Sequence, residues 1–382
     1  MSQSSYIILG AGASGLMLAY RMSQDSYFDN NPILIIDKVK RKGNDRTWSY
    51  WEDGEGEWDE LVTKKWSKIF FGSETFSDTL NISPYSYKMI RSEFFYKNLW
   101  KSILLKSHIK FIEDDVHNFF ETEDGVKVVT ASSTYFGCKI LNSIPNKNSY
   151  GNQKRYPVLQ QHFMGWFIKR KDGIFDDNVA TFMDFNLPQN GNTRFMYVLP
   201  IDKKTALFEY TLFSKNRLEY SEYEQAILDY LKKKNIFDYE LLEKEHGSIP
   251  MTSFKFEQLN SNRIVNIGTA GGWTKASTGY TFYNTSKKTK YLVDFLKKND
   301  DLSMFSNRNK FWFYDLLLLD VLANNNDNGS KLFASIFKKV KVKTILKFLG
   351  EESNLREDLK IITSVSPIPF ILAIIKRLFK IK

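Results

Sequence analysis

Apolar positions along the chain fall into two kinds of run. In the first forty residues they are continuous: Tyr6–Leu9 and Pro32–Ile36 show no polar alternation, which marks strands covered on both faces. Between them Gly10–Gly15 reads as a turn and Leu16–Met22 as the start of a helix, so the segment predicts a βαβ unit. Residues 44–100 mix turns with many Trp, Tyr and Phe, and Arg91–Lys106 predicts a helix. Short β-like runs follow, including Lys110–Ile112 and Val126–Val129. The period then changes. Gln161–Lys169, Ala180–Phe185, Arg194–Leu199 and Thr205–Phe213 alternate polar and apolar residues, which predicts a second, largely antiparallel sheet. Ser221–Lys234 predicts a helix. Arg263–Ile267 returns to the buried-strand pattern just ahead of Gly268-Thr-Ala-Gly-Gly272. Helices are predicted over 280–298 and 309–323, a polar loop over Asn324–Gly329, and helices through 330–382.

A chain of 382 residues exceeds what one hydrophobic core usually supports. The pattern divides it into a discontinuous cofactor domain (1–150 and 255–300), an antiparallel-sheet substrate domain (151–254) and a helical C-terminal region (301–382). Apolar residues at 42% and charged residues at 26% exclude a disordered or fibrous chain. The net charge of +10 changes the picture more, because residues 331–382 carry twelve Lys or Arg against four acids. A basic tail on a nearly neutral body argues against a nucleic-acid-binding fold. Pro367–Lys382, apolar with a cationic end, reads as a helix lying on a membrane surface. No charged segment precedes the first apolar run, and the longest late run, Ile368–Ile375, has only eight residues. Neither a signal peptide nor a membrane-spanning helix is expected, and the protein is placed at the cytoplasmic face of a membrane. The single cysteine, Cys138, excludes an internal disulfide framework. His108, His117, His162 and His246 lack metal-ligand spacing, so no metal site is expected.

The strongest local motif is Gly10-x-Gly12-x-x-Gly15, with Asp37 at the end of the next strand, 22 residues beyond Gly15. Gly10 permits the turn, Gly12 lets a pyrophosphate approach the backbone, and Gly15 lets the helix lie close to the strand. Ala11 and Ser14 complete the turn, and Asp37 stands where an acid accepts hydrogen bonds from an adenosine ribose. The chain does not continue as alternating strands and helices, as an NAD domain would. It returns to a buried strand and Gly-rich turn only at 263–272, so a cofactor held from both ends of the chain, FAD, fits better. Gly268, Thr269, Gly271, Gly272, Ser277, Thr278 and Gly279 are expected to bring backbone and amides to the flavin. Arg91 joins the cofactor-binding set.

Several segments together resemble the lycopene cyclase family, in particular the bacterial lycopene β-cyclases. They are Gly10–Gly15, Thr47-Trp-Ser-Tyr50, Phe195–Pro200, Phe208-Glu-Tyr-Thr211, Gly247–Met251, and Gly268–Gly272 with Ser277–Tyr280. The resemblance covers most of the chain. It implies a Rossmann-like FAD-binding domain of the flavoprotein hydroxylase/geranylgeranyl reductase type, an antiparallel-sheet substrate domain and a helical C-terminal region. It also implies an isomerase that cyclises the ψ-ends of lycopene to β-rings, through γ-carotene to β-carotene, with reduced FAD bound and NAD(P)H as electron donor. Linear carotenoids, the membrane surface and other carotenoid-pathway enzymes are the partners it implies. Two positions depart from the family: Tyr210 replaces a second acid, and Ala276 replaces a common Pro. Thr269, which stands where many related flavoproteins have Asp, is what the cyclases tend to have.

Such a cyclisation needs a positioned acid, a dry cavity and groups that steady positive charge. Glu209 is the acid of Leu207–Thr211, on the same strand face as Leu207, and the family's catalytic role falls on it. Burial would raise its pKa and favour the protonated form. Whether Glu209 or the flavin delivers the proton is open at this point, as is the ring type. Trp48, Tyr50, Trp166, Tyr210, Trp273 and Tyr280 are candidate cation-stabilising rings among the 15% aromatic residues. Asp184 and Glu245 read as structural acids. The rival functions are an FAD/NAD(P)H-dependent oxidoreductase acting on an isoprenoid or aromatic substrate, and a non-catalytic carotenoid-binding protein.

Overall fold

A computed structural model describes residues 4–306 and 308–379. Among these residues the chain forms two seven-stranded sheets and one three-stranded sheet. The first sheet runs in the order Ile109–Glu113, Ile33–Asp37, Ser4–Leu9, Thr134–Asn142, Gly125–Thr130, Val116–Thr122, with Ile264–Asn266 also paired to Thr134–Asn142. Its parallel part is built from the continuous apolar runs. Ile7 and Ile8 are fully buried, and Ile8 lies beside Ile35 on one side and Leu141 on the other. Leu141 in turn pairs with Val265 in parallel. This register decides the location of the site, because it puts the turn after Leu9 and the turn after Asn266 at the same end of the sheet. Helices Ala13–Gln24 and Phe282–Leu296 pack against that sheet and against each other, with Arg21 donating to the Ser286 carbonyl.

The second sheet runs Tyr239–Met251, Leu159–Arg170, Thr205–Ser214, Thr193–Pro200, Val179–Asp184, Lys68–Gly72, Ser77–Asn81. All neighbours are antiparallel except Val179–Asp184 and Lys68–Gly72. Alternation gives it two apolar faces. One, with Phe182, Tyr197, Leu207 and Phe213, is covered by C-terminal helices through Phe333, Phe337 and Ile345. The other, with Met164, Trp166, Phe208 and Tyr210, is covered by helix Tyr220–Lys233 through Tyr223, Ile227 and Leu231. The small sheet pairs Thr47–Asp53 and Lys64–Trp66 with Tyr85–Arg91.

Two features differ from the expectation. Residues 1–150 do not belong wholly to the cofactor domain: Lys68–Gly72 and Ser77–Asn81 extend the second sheet. Ile69 and Phe71 alternate inward, and their apolar faces are met by Phe185 and Phe337 rather than by the Rossmann helices. The thirteen-residue strand Tyr239–Met251 was not anticipated either. It pairs along one side only, and a sheet-edge strand tolerates the charged residues that hide its period in the sequence. The C-terminal part is helical, as expected: Lys310–Asn324, Gly329–Lys339, Val342–Leu349, Leu355–Ile362 and Pro367–Phe379. Lys380–Lys382, part of the expected basic end, lie outside the described residues. No single described helix is long and apolar enough to cross a membrane; Leu355–Ile362 and Pro367–Phe379 meet at 110°.

Candidate active site

The Gly10 turn opens helix Ala13–Gln24. A Cβ on Gly15 would lie 1.9 Å from the Gly10 carbonyl oxygen, so the helix can sit this close to the strand only without a side chain there. Gly12 is the N-cap; no side chain caps the first turn, and a Cβ on Gly12 would meet nothing within 4 Å. Uncapped helix amides beside open space form a cradle for an anionic group. Asp37 is buried at the end of the next strand and accepts from the Ala11 amide at 2.6 Å, which ties it to the turn. Arg41 Nε lies 3.9 Å from Asp37 Oδ2 and is a buried donor with no hydrogen-bond partner among the described residues.

The second turn meets the first through one glycine. Gly268 has φ +59°, and a Cβ there would fall 2.1 Å from Ser14 Oγ. Thr269 Oγ1 sits 3.4 Å from Thr274 Oγ1. Gly271 and Gly272 pack on their own loop, against Asn266 and Phe256. Ser277 and Thr278 border a large apolar cavity, and Gly279 lies against Gln161. Gln161 Oε1 and Thr278 Oγ1 are buried without partners among the described residues. These unmet polar atoms, the open cradle at Gly12 and the lone Arg41 donor fit a ligand with a polar ring at one end and a pyrophosphate further along, as FAD has.

Arg91 is the N-cap residue of helix Ser92–Ile103, with no capping bond from its side chain; it pairs with Glu243, donates to Thr47 Oγ1 at 3.3 Å and lies 4.0 Å above the Phe167 ring. It therefore stands beside the acids.

Those acids lie on the second sheet. Tyr197, Glu209, Gly165 and Glu245 are direct register partners on four successive strands and share one face. Glu209 keeps partial exposure at the sheet surface while enclosed by protein. Burial, and then the neighbouring Glu245 carboxylate, push its carboxyl up to about 8, against a hydrogen bond from Thr211 Oγ1 at 3.0 Å. Glu245 is also pushed up by burial, and opposed by the Thr47 hydroxyl donating at 2.8 Å and by the charge of Arg91. Beside Glu209, the hydroxyls of Tyr87 and Tyr197 lie 3.1 and 3.4 Å from that of Tyr280, and the Trp51 ring lies 4.6 Å from the Tyr280 ring. Burial pushes all three phenols far up, so they stay neutral.

Tyr197 and Tyr280 form the inner end of the apolar cavity, about 330 Å³, whose other walls come from helices Lys310–Asn324 and Gly329–Lys339. Its outer wall is Ile362, Val365, Pro367, Phe370, Ile371 and Ile374 of the last two helices and their junction. Around it, Leu355, Leu359, Ile368, Leu372 and Leu378 are each more than half exposed.

Comparison with known proteins decides the family. The sequence profile described as "Lycopene cyclase protein" matches residues 6–374. The chain belongs to the lycopene cyclase family. It is similar to the lycopene beta-cyclase of Pseudescherichia vulneris, with 25% identity over 259 residues, 64% of this chain. That match spans 61% of the relative's length. Its fold is shared with a geranylgeranyl bacteriochlorophyll reductase-like protein from Thermoplasma acidophilum: TM-score 0.67, 12% identity, 97% of this chain and 98% of that one. A flavoprotein/dehydrogenase from Cytophaga hutchinsonii has TM-score 0.61 at 12% identity, over 99% of this chain and 100% of that one.

Within this cyclase-family chain the candidate rings separate. Tyr280 borders the cavity and lies 3.4 Å, hydroxyl to hydroxyl, from Tyr197, the register partner of Glu209. Trp166 and Tyr210 point to the opposite face of the sheet, where Trp166 meets Lys244 and Tyr210 accepts from Arg194, so neither reaches Glu209's side. The strand period forces this, since each is one residue from a position facing the acids. Trp48 and Tyr50 pack against Phe282 in the Rossmann-side core, Tyr50 stacked on it, and Trp273 packs near Phe305. The residue pattern did not single out Tyr87, Tyr197, Gln161 or Arg41. Tyr197 sits inside the family segment Phe195–Pro200, which was the available signal.

Proposed function

We propose that this protein is a lycopene β-cyclase: an isomerase that closes the ψ-ends of lycopene to β-rings, through γ-carotene to β-carotene, at the cytoplasmic face of a membrane. The single observation that carries the reading is a carboxyl with raised pKa whose strand neighbour Tyr197 lines, together with Tyr280, an apolar cavity. FAD would be held by the Gly10–Gly15 cradle, Asp37, Arg41, Gly268, Gln161 and Thr278, with NAD(P)H as electron donor. When bound and reduced, FAD supplies negative charge that offsets a developing cation.

The chain's own residues account for the rest. Glu209 remains protonated below about pH 8 and gives its proton to the terminal alkene carbon. A carbon–carbon bond closes the ring and leaves a tertiary carbocation. Loss of a different proton forms the ring alkene, so the substrate neither gains nor loses electrons. The rings of Tyr197 and Tyr280, which line the cavity, would face such a cation, each contributing roughly 0.5–2 kcal/mol when desolvated. The apolar cavity keeps water from quenching the cation. Its wall of exposed Ile and Leu on the last two helices suits a lipid-dissolved substrate entering from the membrane surface. Expression in a lycopene-accumulating bacterium with pigment chromatography tests the proposal. β-Carotene is the expected product, and unchanged lycopene in the presence of folded, FAD-loaded protein overturns it. NAD(P)H consumed in proportion to product would instead indicate an oxidoreductase.

A further inference from the structure

Glu245 is not required by the function as stated, and the fold has gone to some length to put it there. It lies on the edge strand Tyr239–Met251, two strands from Glu209, and Gly165 stands between them in register with both. Directly opposed side chains across one strand would normally be separated by the side chain of the middle residue. Here the middle residue has none. A Cβ on Gly165 would lie 3.2 Å from Glu245 Cγ, 3.5 Å from Glu209 Cβ and 2.8 Å from Leu207 Cδ1. The missing side chain lets the two glutamates come together over the strand, where the Glu245 carboxylate pushes the Glu209 carboxyl up. We propose that Glu209 and Glu245 hold one proton between them across Gly165, with Glu245 as the positioning residue that keeps Glu209 protonated at neutral pH. This rests on the cyclase reading only in taking Glu209 as the acid.

The surroundings assign the roles. The Thr47 hydroxyl donates to Glu245 and the cations of Arg91 and Arg46 lie near it, so the shared negative charge settles there, against the opposing charge of Glu243. Beside Glu209 stand the Thr211 hydroxyl and the neutral phenols of Tyr87 and Tyr197, and the influences on its carboxyl are burial, Glu245 and Thr211. Two carboxyls at such a distance cannot both ionise easily, so the proton stays on Glu209.

The test uses the FAD-loaded full chain and two independent readouts: melting temperature against pH, and cyclisation rate against pH in lycopene-containing vesicles. A proton bound more tightly in the folded state stabilises the fold at acid pH, and this stability is lost as pH rises towards and through 8. Glu245→Gln keeps an oxygen for Thr47 to donate to but removes the charge. It should flatten that loss and move the alkaline limb of activity down by about 1 pH unit or more. Thr47→Val removes a hydrogen bond to the ionised form and should move both curves the other way; it serves as the measurement if Glu245→Gln does not fold. Gly165→Ala should separate the carboxyls and act like Glu245→Gln. Melting and activity curves of wild-type shape in Glu245→Gln, or in Thr47→Val, would overturn the shared proton. Absence of cyclisation in every form, with the melting shifts as expected, would overturn the cyclase reading and leave the pair standing.

Discussion

Lys275 sits inside the second Gly-rich turn, and replacing it with Met should loosen the cofactor site from behind. Its ammonium is buried, 3.0 and 3.1 Å from the two Asp315 oxygens and 3.4 Å from Glu351 Oε1. Asp315 belongs to helix Lys310–Asn324 and Glu351 follows helix Val342–Leu349, so this one cation ties the turn to the C-terminal helices. Burial penalises the Lys275 charge, but Asp315 and Glu351 outweigh it and push its pKa up, so it remains a cation. Burial likewise pushes Glu351 up, and Lys275 and Lys288 outweigh that and hold it down at about 2. Lys275→Met keeps the volume and leaves two buried acids facing each other, which should cost about 3–5 kcal/mol. At about 2.1 cal/mol/K of unfolding entropy per residue, a chain of this length has roughly 0.8 kcal/mol/K in all, so the melting temperature should fall by about 4–6 °C. The sign with pH follows from both acids: without Lys275 the raised Asp315 carboxyl loses a charge that draws it down, and Glu351 loses one that holds it down. A folded pKa below its ordinary value gives stability that is present above about pH 4.5 and lost as pH falls towards 2. The variant loses the Lys275 share of this contribution, so its deficit should be largest at neutral pH and shrink in acid. Differential scanning calorimetry between pH 3 and 8, with FAD content measured by absorbance, checks both points. A deficit below about 1 kcal/mol, or one that does not change with pH, would refute the reasoning.

Other consequences can be measured directly. Glu209→Gln should remain folded and lower cyclisation by about 10²–10⁴-fold, read as the lycopene to β-carotene ratio; full activity would remove Glu209 from its role. Gly15→Ala places a Cβ 1.9 Å from the Gly10 carbonyl oxygen, and overpacking should cost about 1–3 kcal/mol together with most bound FAD, measured by flavin fluorescence after denaturation. Ile371→Glu with Leu372→Glu puts charge on two half-exposed positions of the last helix. Co-sedimentation with anionic vesicles should fall about tenfold or more while melting temperature holds, and unchanged co-sedimentation would exclude this helix as the membrane contact.

The sequence by itself determined the parts of this protein whose physics is local. Continuous apolar runs announced the buried parallel strands, and the Gly10–Gly15 turn was legible because close helix–strand packing tolerates nothing larger than Gly15. Alternation identified four strands of the second sheet and put Leu207 and Glu209 on one face, which the register bears out. The basic, apolar tail was legible as composition. Only the tertiary structure decided which distant residues meet. Glu245, read as a structural acid, becomes Glu209's neighbour because two antiparallel registers converge on Gly165, and nothing local to residue 245 records that. Tyr87, Tyr197 and Tyr280 meet because three separate segments converge on the Tyr280 hydroxyl. Trp166 and Tyr210, attractive by residue type, were excluded by strand parity alone. Residue types declare what chemistry a chain can do. Register and burial decide which of those residues share a low-dielectric space, and in that space burial raises a glutamate's pKa.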